Sequence, residues 1–184
     1  MRSYTFASVR VAKLIISNSI LGVDIGGDVE VVAVADVEAA QQAWGEGIVS
    51  IASAHSAGAD YVERAREHIQ TLYAYEIASV LFKPTFASDE QFRSTFEGAL
   101  SYFVAGNNVC PEDTGFAIKG WTRVRFENEG IIINGATAMA MGNYFFTTPD
   151  GDEVKVEFSF GYIVDSAGDL RIHMHHSSMP ASID

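Results

Sequence analysis

Residues 170–180 read Leu170-Arg171-Ile172-His173-Met174-His175-His176-Ser177-Ser178-Met179-Pro180, so three of the chain's five histidines fall within four positions, followed by two serines. Imidazoles exchange protons near neutral pH, and hydroxyls both donate and accept hydrogen bonds. Such a cluster suits general acid–base work or metal ligation. In a strand the side chains alternate between faces. On strict alternation Leu170, Ile172, Met174, His176 and Ser178 share one face, and Arg171, His173, His175 and Ser177 share the other. The first face is the more apolar, so it is predicted to meet the core. That puts His176, as proton acceptor, and Ser178, as donor, where the interior opens. His173, His175 and Ser177 are then expected on a solvated or subunit-facing surface, where they could relay protons outward. His173 and His175, two apart, are also the pair that could share one metal ion. No marked acidic companion accompanies them, so a polar strand face is the stronger expectation.

Two further candidates are Thr85 and Tyr102. Thr85 follows Pro84 in a connection between helices, where binding residues often sit. Tyr102 lies beside an aromatic helical stripe. Cys110, the single cysteine, has no base next to it and reads as a passive thiol. No Ser-His-Asp order or phosphate loop is present, and residues 22–27 lack the spacing of a dinucleotide fingerprint.

The elements that must position these groups come in two blocks. Asp36 is expected to cap a helix burying Val37, Ala40, Trp44, Ile48 and Ile51 at spacings of three and four. Asp60 with Glu63 predicts a second helix carrying Val62, Ala65, Ile69, Leu72, Tyr73 and Ile77, ending near Phe82 because Pro84 disfavours helical geometry at Lys83. Ser88 with Gln91 predicts a third, with Phe92, Phe96, Ala99, Leu100 and Phe103 as its stripe and Gly106 as its stop. After Pro111 the period becomes alternating. Strands are expected over 116–126, 131–148, 154–162 and 170–178, with turns at 127–130, 149–151 and 165–169. Helices first and hairpin-linked strands after mean α+β: a curved antiparallel sheet wrapped around N-terminal helices, a cone with its pocket at the wide end.

Composition bounds the function. The 184 residues carry 24 acidic against 12 basic side chains, a net charge of −12. That field repels nucleic acid and anionic membranes, and no apolar run is long enough to span a bilayer. One thiol makes no internal disulfide. Residues 1–23 hold Arg2, Arg10 and Lys13 and no acid. This is the composition of an organelle transit segment, with a secretory signal or a plain leader as rivals. Residues 1–35 are therefore read as a leader or linker and 36–184 as one domain. No compartment is read beyond an intracellular one.

Several segments resemble one family: Phe82-Lys83-Pro84-Thr85, Gly115-Phe116-Ala117-Ile118-Lys119-Gly120-Trp121, Met141-Gly142-Asn143-Tyr144-Phe145-Phe146, Phe158-Ser159-Phe160-Gly161-Tyr162 and the closing His175-His176-Ser177-Ser178-Met179-Pro180. Together they resemble the iota-class carbonic anhydrases, whose domain is similar to the association domain of calcium/calmodulin-dependent protein kinase II within the nuclear transport factor 2-like superfamily. The resemblance covers about 36–180. It implies a homodimer of cone-shaped α+β domains and reversible hydration of CO2 to bicarbonate, without a metal or, as the alternative, with manganese or zinc. It puts the bicarbonate-binding groups on Thr85, Tyr102, His176 and Ser178. Other readings on the same fold are a ketosteroid-isomerase-like or cyclase-like enzyme, which needs an acidic base in its pocket, and a non-catalytic oligomerising domain.

Overall fold

The computed structural model describes residues 7–182, apart from 17–18, 21–22 and 25–26. Near the N-terminus β1 (Lys13–Ile16), β2 (Ser19–Ile20), β3 (Val23–Asp24) and β4 (Gly27–Glu30) pair antiparallel, β1 with β4 and β2 with β3. Just before them, part of the segment read as a leader is docked on the domain. Val11 donates its backbone N–H to Gly168 O, Val9 O accepts from Leu170 N, and Val11 is buried.

α1 (Val34–Ser56) buries Val37, Ala40, Trp44, Ile48 and Ile51, as their spacing dictates. Its N-cap is Ala33; Asp36 stands at the third position and accepts the Ala33 N–H at 2.8 Å. α2 (Tyr61–Leu72) starts at Asp60, whose carboxylate accepts from Glu63 N at 3.0 Å. It ends ten residues earlier than expected. Tyr73 is extended and Ala74 donates to Ile172 O at 2.9 Å, so the chain leaves the helix to pair with the last strand. Ile77 is consequently exposed. The run ending at Pro84 is β5 (Leu81–Lys83), a strand.

α3 (Phe96–Val104) is capped by Thr95, whose Oγ1 accepts from Gly98 N. Ser88 does not cap it. The Ser88 hydroxyl and the backbone N–H groups of Ser88, Asp89 and Glu90 all donate to the Glu112 carboxylate. That wraps the segment around a carboxylate, and Phe92 stays exposed.

Where a strand was expected from residue 116, Phe116–Ile118 forms a turn of 3-10 helix. Four long strands follow: β6 (Arg123–Asn134), β7 (Thr137–Thr147), β8 (Glu153–Val164) and β9 (Leu170–Ser178). Residues 127–130 do not turn the chain. They form a bulge inside β6, where Asn128 pairs with Gly142 and Gly130 with Met141. Asn128 exchanges two side-chain amide hydrogen bonds with the buried Gln41 of α1, both at 2.8 Å, which ties the bulge to the helix.

The sheet order is β5-β9-β8-β7-β6. β5 runs parallel to β9 and all other neighbours are antiparallel. The sheet is therefore mixed, not purely antiparallel, and it is not closed into a barrel. Its inner face presents Ala138, Ala140, Tyr144, Phe146, Val156, Phe158, Phe160 and Tyr162 to the helices. Trp44 of α1 sits at the centre, within 6.4 Å centroid distance of Phe103, Phe126, Tyr144, Phe146 and Phe160.

The β6 bulge depends on Gly142. A Cβ there would fall 2.1 Å from Glu127 O and 2.8 Å from Glu129 N, with rigid backbone on both sides. Gly142→Ala is expected to cost about 2–3 kcal/mol of stability through overpacking. Gly130→Ala, which meets nothing within 4 Å, is expected to stay within about 0.5 kcal/mol. Urea unfolding of the two variants checks the contrast.

Candidate active site

Alternation along β9 is broken once. Tyr162 pairs with Ile172 and Gly161 with Met174, leaving His173 as one extra residue. A bulge of this kind puts two residues of one strand opposite a single partner and shifts the parity of the residues beyond it. The His173 ring folds back over the strand beside it: a Cβ on Gly161 would be 3.2 Å from His173 Nε2 and 3.1 Å from Met174 Cβ.

Beyond the bulge the faces are reversed from those expected. His175 and Ser177 are buried, at 2% and 3% exposure, while His176 is exposed. Ser178 faces outward and its hydroxyl donates to Glu157 Oε2 at 3.1 Å. Of the four groups expected to converge on one cavity, Thr85 and Tyr102 lie on the inner side near Ser177, whereas His176 is exposed and Ser178 faces outward. His173 and His175 lie on opposite faces, so they do not converge as a metal-ligand pair. Among the described residues no group of three or more His, Cys, Asp or Glu side chains is placed to hold a metal ion.

What converges inside is a set of hydroxyls around one imidazole. β5 lies beside β9 with Lys83 opposite His176. The chain then continues through Pro84 to Thr85, whose Oγ1 donates to Ser177 Oγ at 2.9 Å. Tyr102, from α3, reaches the Thr85 side chain and the Phe86 backbone. Tyr144, from β7, is within hydrogen-bonding reach of Ser177 and Thr85, and its hydroxyl is 3.4 Å from His175 Nε2. The other ring nitrogen, Nδ1, is 2.8 Å from the Tyr73 hydroxyl, which accepts from Trp44 Nε1 at 3.0 Å.

The His175 ring is clamped between Phe82 at 4.6 Å and Phe160 at 4.1 Å, with the edge of Trp44 at 5.6 Å. Thr85 is partly exposed and the other members are buried, so solvent approaches from Thr85.

Sequence reasoning missed Tyr73 and Tyr144 and mis-sided His175 and Ser177. The chain did carry one signal: a glycine within a strand, here Gly161, marks a bulge or a close approach.

The whole cluster is neutral. Burial holds the Tyr102 and Tyr144 hydroxyls far above the usual tyrosine range, and Tyr73 likewise. Burial first, then the nearby His176 and His68, pushes the His175 imidazolium well below its usual range. The hydrogen bonds that tie the cluster together run between hydroxyls, an indole and an imidazole.

The second buried histidine, His68, is lowered by burial to about 3. Both histidines are thus neutral when folded. The unfolded chain takes up these protons near pH 6.5, the folded chain only far lower. Stability is therefore full above about pH 6.5 and falls as the solution is acidified. Each histidine contributes about 2 kcal/mol to the loss between pH 7 and pH 5. His175→Phe, measured by denaturant unfolding at both pH values, is expected to shrink that difference by its share.

Comparison with known proteins agrees with this architecture. The family model described as metal-independent carbonic anhydrase matches residues 35–179. A metal-independent carbonic anhydrase from Nostoc sp. is 43% identical over 148 residues, covering 79% of this chain and 72% of the relative. The crystal structure of a cyanobacterial iota-carbonic anhydrase complexed with bicarbonate superposes with a TM-score of 0.81 at 39% identity, over 83% of this chain and 95% of that one. A putative calcium/calmodulin-dependent protein kinase II association domain from Xanthomonas campestris shares the fold, with a TM-score of 0.58 at 19% identity over 80% of this chain and 88% of that one. The chain belongs to the metal-independent carbonic anhydrase family.

Proposed function

We propose that this carbonic anhydrase hydrates CO2 reversibly at the cluster of Thr85, Tyr102, Tyr144, His175 and Ser177, with hydroxyls and a neutral imidazole and no metal ion. The observation that carries the reading is the convergence of these groups in one aromatic-walled, uncharged interior.

CO2 is apolar and enters such walls readily, while a few directed polar groups orient it. As water attacks the carbon, negative charge grows on the CO2 oxygens. Donors already aimed at that position stabilise it without reorganising. The hydrogen-bonded pair Thr85–Ser177 can serve both ends of the reaction. One hydroxyl takes the proton of the attacking water while its own proton passes on to a CO2 oxygen. Carbonic acid forms, and it ionises to bicarbonate as it leaves. Every group starts and ends neutral, which suits a site in which burial opposes charge. His176, on the outer face, takes no part.

A second copy of the chain covers the outer sheet face in this reading. One pairing row crosses all five strands: Leu81, Met174, Gly161, Met139 and Ile132. Leu81, Met139 and Ile132 are 70%, 55% and 63% exposed, and Met141 beside them is 60% exposed. A continuous apolar stripe of this kind supports a face that is buried on assembly.

Stopped-flow CO2 hydration with chelator present tests the site. Ser177→Ala is expected to lose about 100- to 1,000-fold, as for one lost transition-state donor. His175→Ala is expected to lose a comparable factor. His176→Ala and Ser178→Ala are expected to stay within about twofold. Full activity in Ser177→Ala, or loss on chelation that only added metal restores, contradicts the reading. Light scattering tests the assembly. The wild type is expected to be a dimer and the Ile132→Lys/Met139→Lys variant a monomer; a monomeric wild type at micromolar concentration overturns it.

A further inference from the structure

We infer that Trp44 and Tyr73 are positioning residues that hold His175 in the Nε2-protonated tautomer, so that it faces the reacting CO2 as a hydrogen-bond donor and not as a proton acceptor. This rests on the site proposed above.

A buried chain of three groups has a limited number of protons to share. Indole Nε1–H is a donor only. Trp44 Nε1 is 3.0 Å from the Tyr73 hydroxyl, so it occupies an acceptor position of that oxygen. Tyr73 has one proton left to place, and the neighbour within reach is His175 Nδ1 at 2.8 Å. The stacked neighbour Tyr75 sends its own hydroxyl to Arg93 O at 2.6 Å.

Were Nδ1 protonated, it would donate to Tyr73, and the phenol proton would be left without an acceptor in a fully buried position. Leaving a buried donor unpaired is unfavourable enough to decide between two tautomers. With Nδ1 bare, Trp44 donates to Tyr73, Tyr73 donates to His175, and each group is satisfied. The ring proton then sits on Nε2, the nitrogen that faces Tyr144 and the hydroxyl cluster. The 3.4 Å to the Tyr144 hydroxyl is long for a hydrogen bond, so an oxygen of bicarbonate is a better acceptor for that proton. The stacking of Phe82 and Phe160 fixes the ring plane and prevents a flip.

Nitrogen-15 spectra of histidine-labelled protein at neutral pH read the tautomer directly. His175 is expected to show a protonated Nε2 and a bare Nδ1 in the wild type. In Tyr73→Phe, which keeps the ring and removes the hydroxyl, a mixture of tautomers is expected. kcat is expected to fall about 10- to 100-fold, the range seen when the partner that orients a metal-bound histidine is removed, with the thermal transition retained. A wild-type proton on Nδ1 overturns the inference, and so does an unchanged tautomer and kcat in Tyr73→Phe. Should that variant fail to fold, the wild-type spectrum still decides. Full activity in His175→Ala would instead overturn the site itself, an outcome separate from the tautomer measurement.

Discussion

One extra residue in β9 determines which side chains face the interior. His173 has no partner of its own on β8, and Gly161 has no Cβ, which leaves room for the His173 ring to lie across it. Through this bulge the apolar residues Leu170 and Ile172 point inward at one end of the strand, and the polar residues His175 and Ser177 point inward at the other. Without it, His176 and Ser178 would be carried into the aromatic interior. β5 then adds parallel to β9 and brings Thr85 beside Ser177. Tyr102 reaches Thr85, and Tyr144 reaches both members of that pair.

Burial supplies the electrostatics. A cluster of tyrosines, a serine, a threonine and a histidine deep in an aromatic core stays uncharged at neutral pH. It costs little to fold, since its members satisfy one another. An apolar substrate and a neutral first product suit that environment better than a charged one. On the proposed mechanism, electrostatic help is needed only as the transition state forms, and directed dipoles would provide it. Metal-dependent carbonic anhydrases instead lower the pKa of a bound water to about 7. On the mechanism proposed above, the work would fall to proton relay between paired hydroxyls and to orientation of the imidazole.

Much of this was legible from the chain. The helical spacing of Val37, Ala40, Trp44, Ile48 and Ile51, the Asp60 cap and the bounds of the last strand all follow from local periodicity. The α+β class and the family resemblance were legible too. What failed was non-local. α2 stops at Leu72 because Tyr73 and Ala74 are claimed by Ile172, a hundred residues away. Residues 127–130 look like a turn but are held in β6 by Gln41 and by the missing Cβ of Gly142. The parity of β9 reversed because alternation counts residues along one strand, whereas a bulge is a property of two. Two glycines, Gly142 and Gly161, were the only local trace of these features.

The most direct test of the central claim is a crystal structure with bicarbonate bound. The anion is predicted to lie within hydrogen-bonding distance of Thr85 Oγ1, Ser177 Oγ and His175 Nε2, enclosed by Phe82 and Phe160, with no metal beside it. Bicarbonate bound on the outer face at His176 and Ser178, or held by a metal ion, would contradict it.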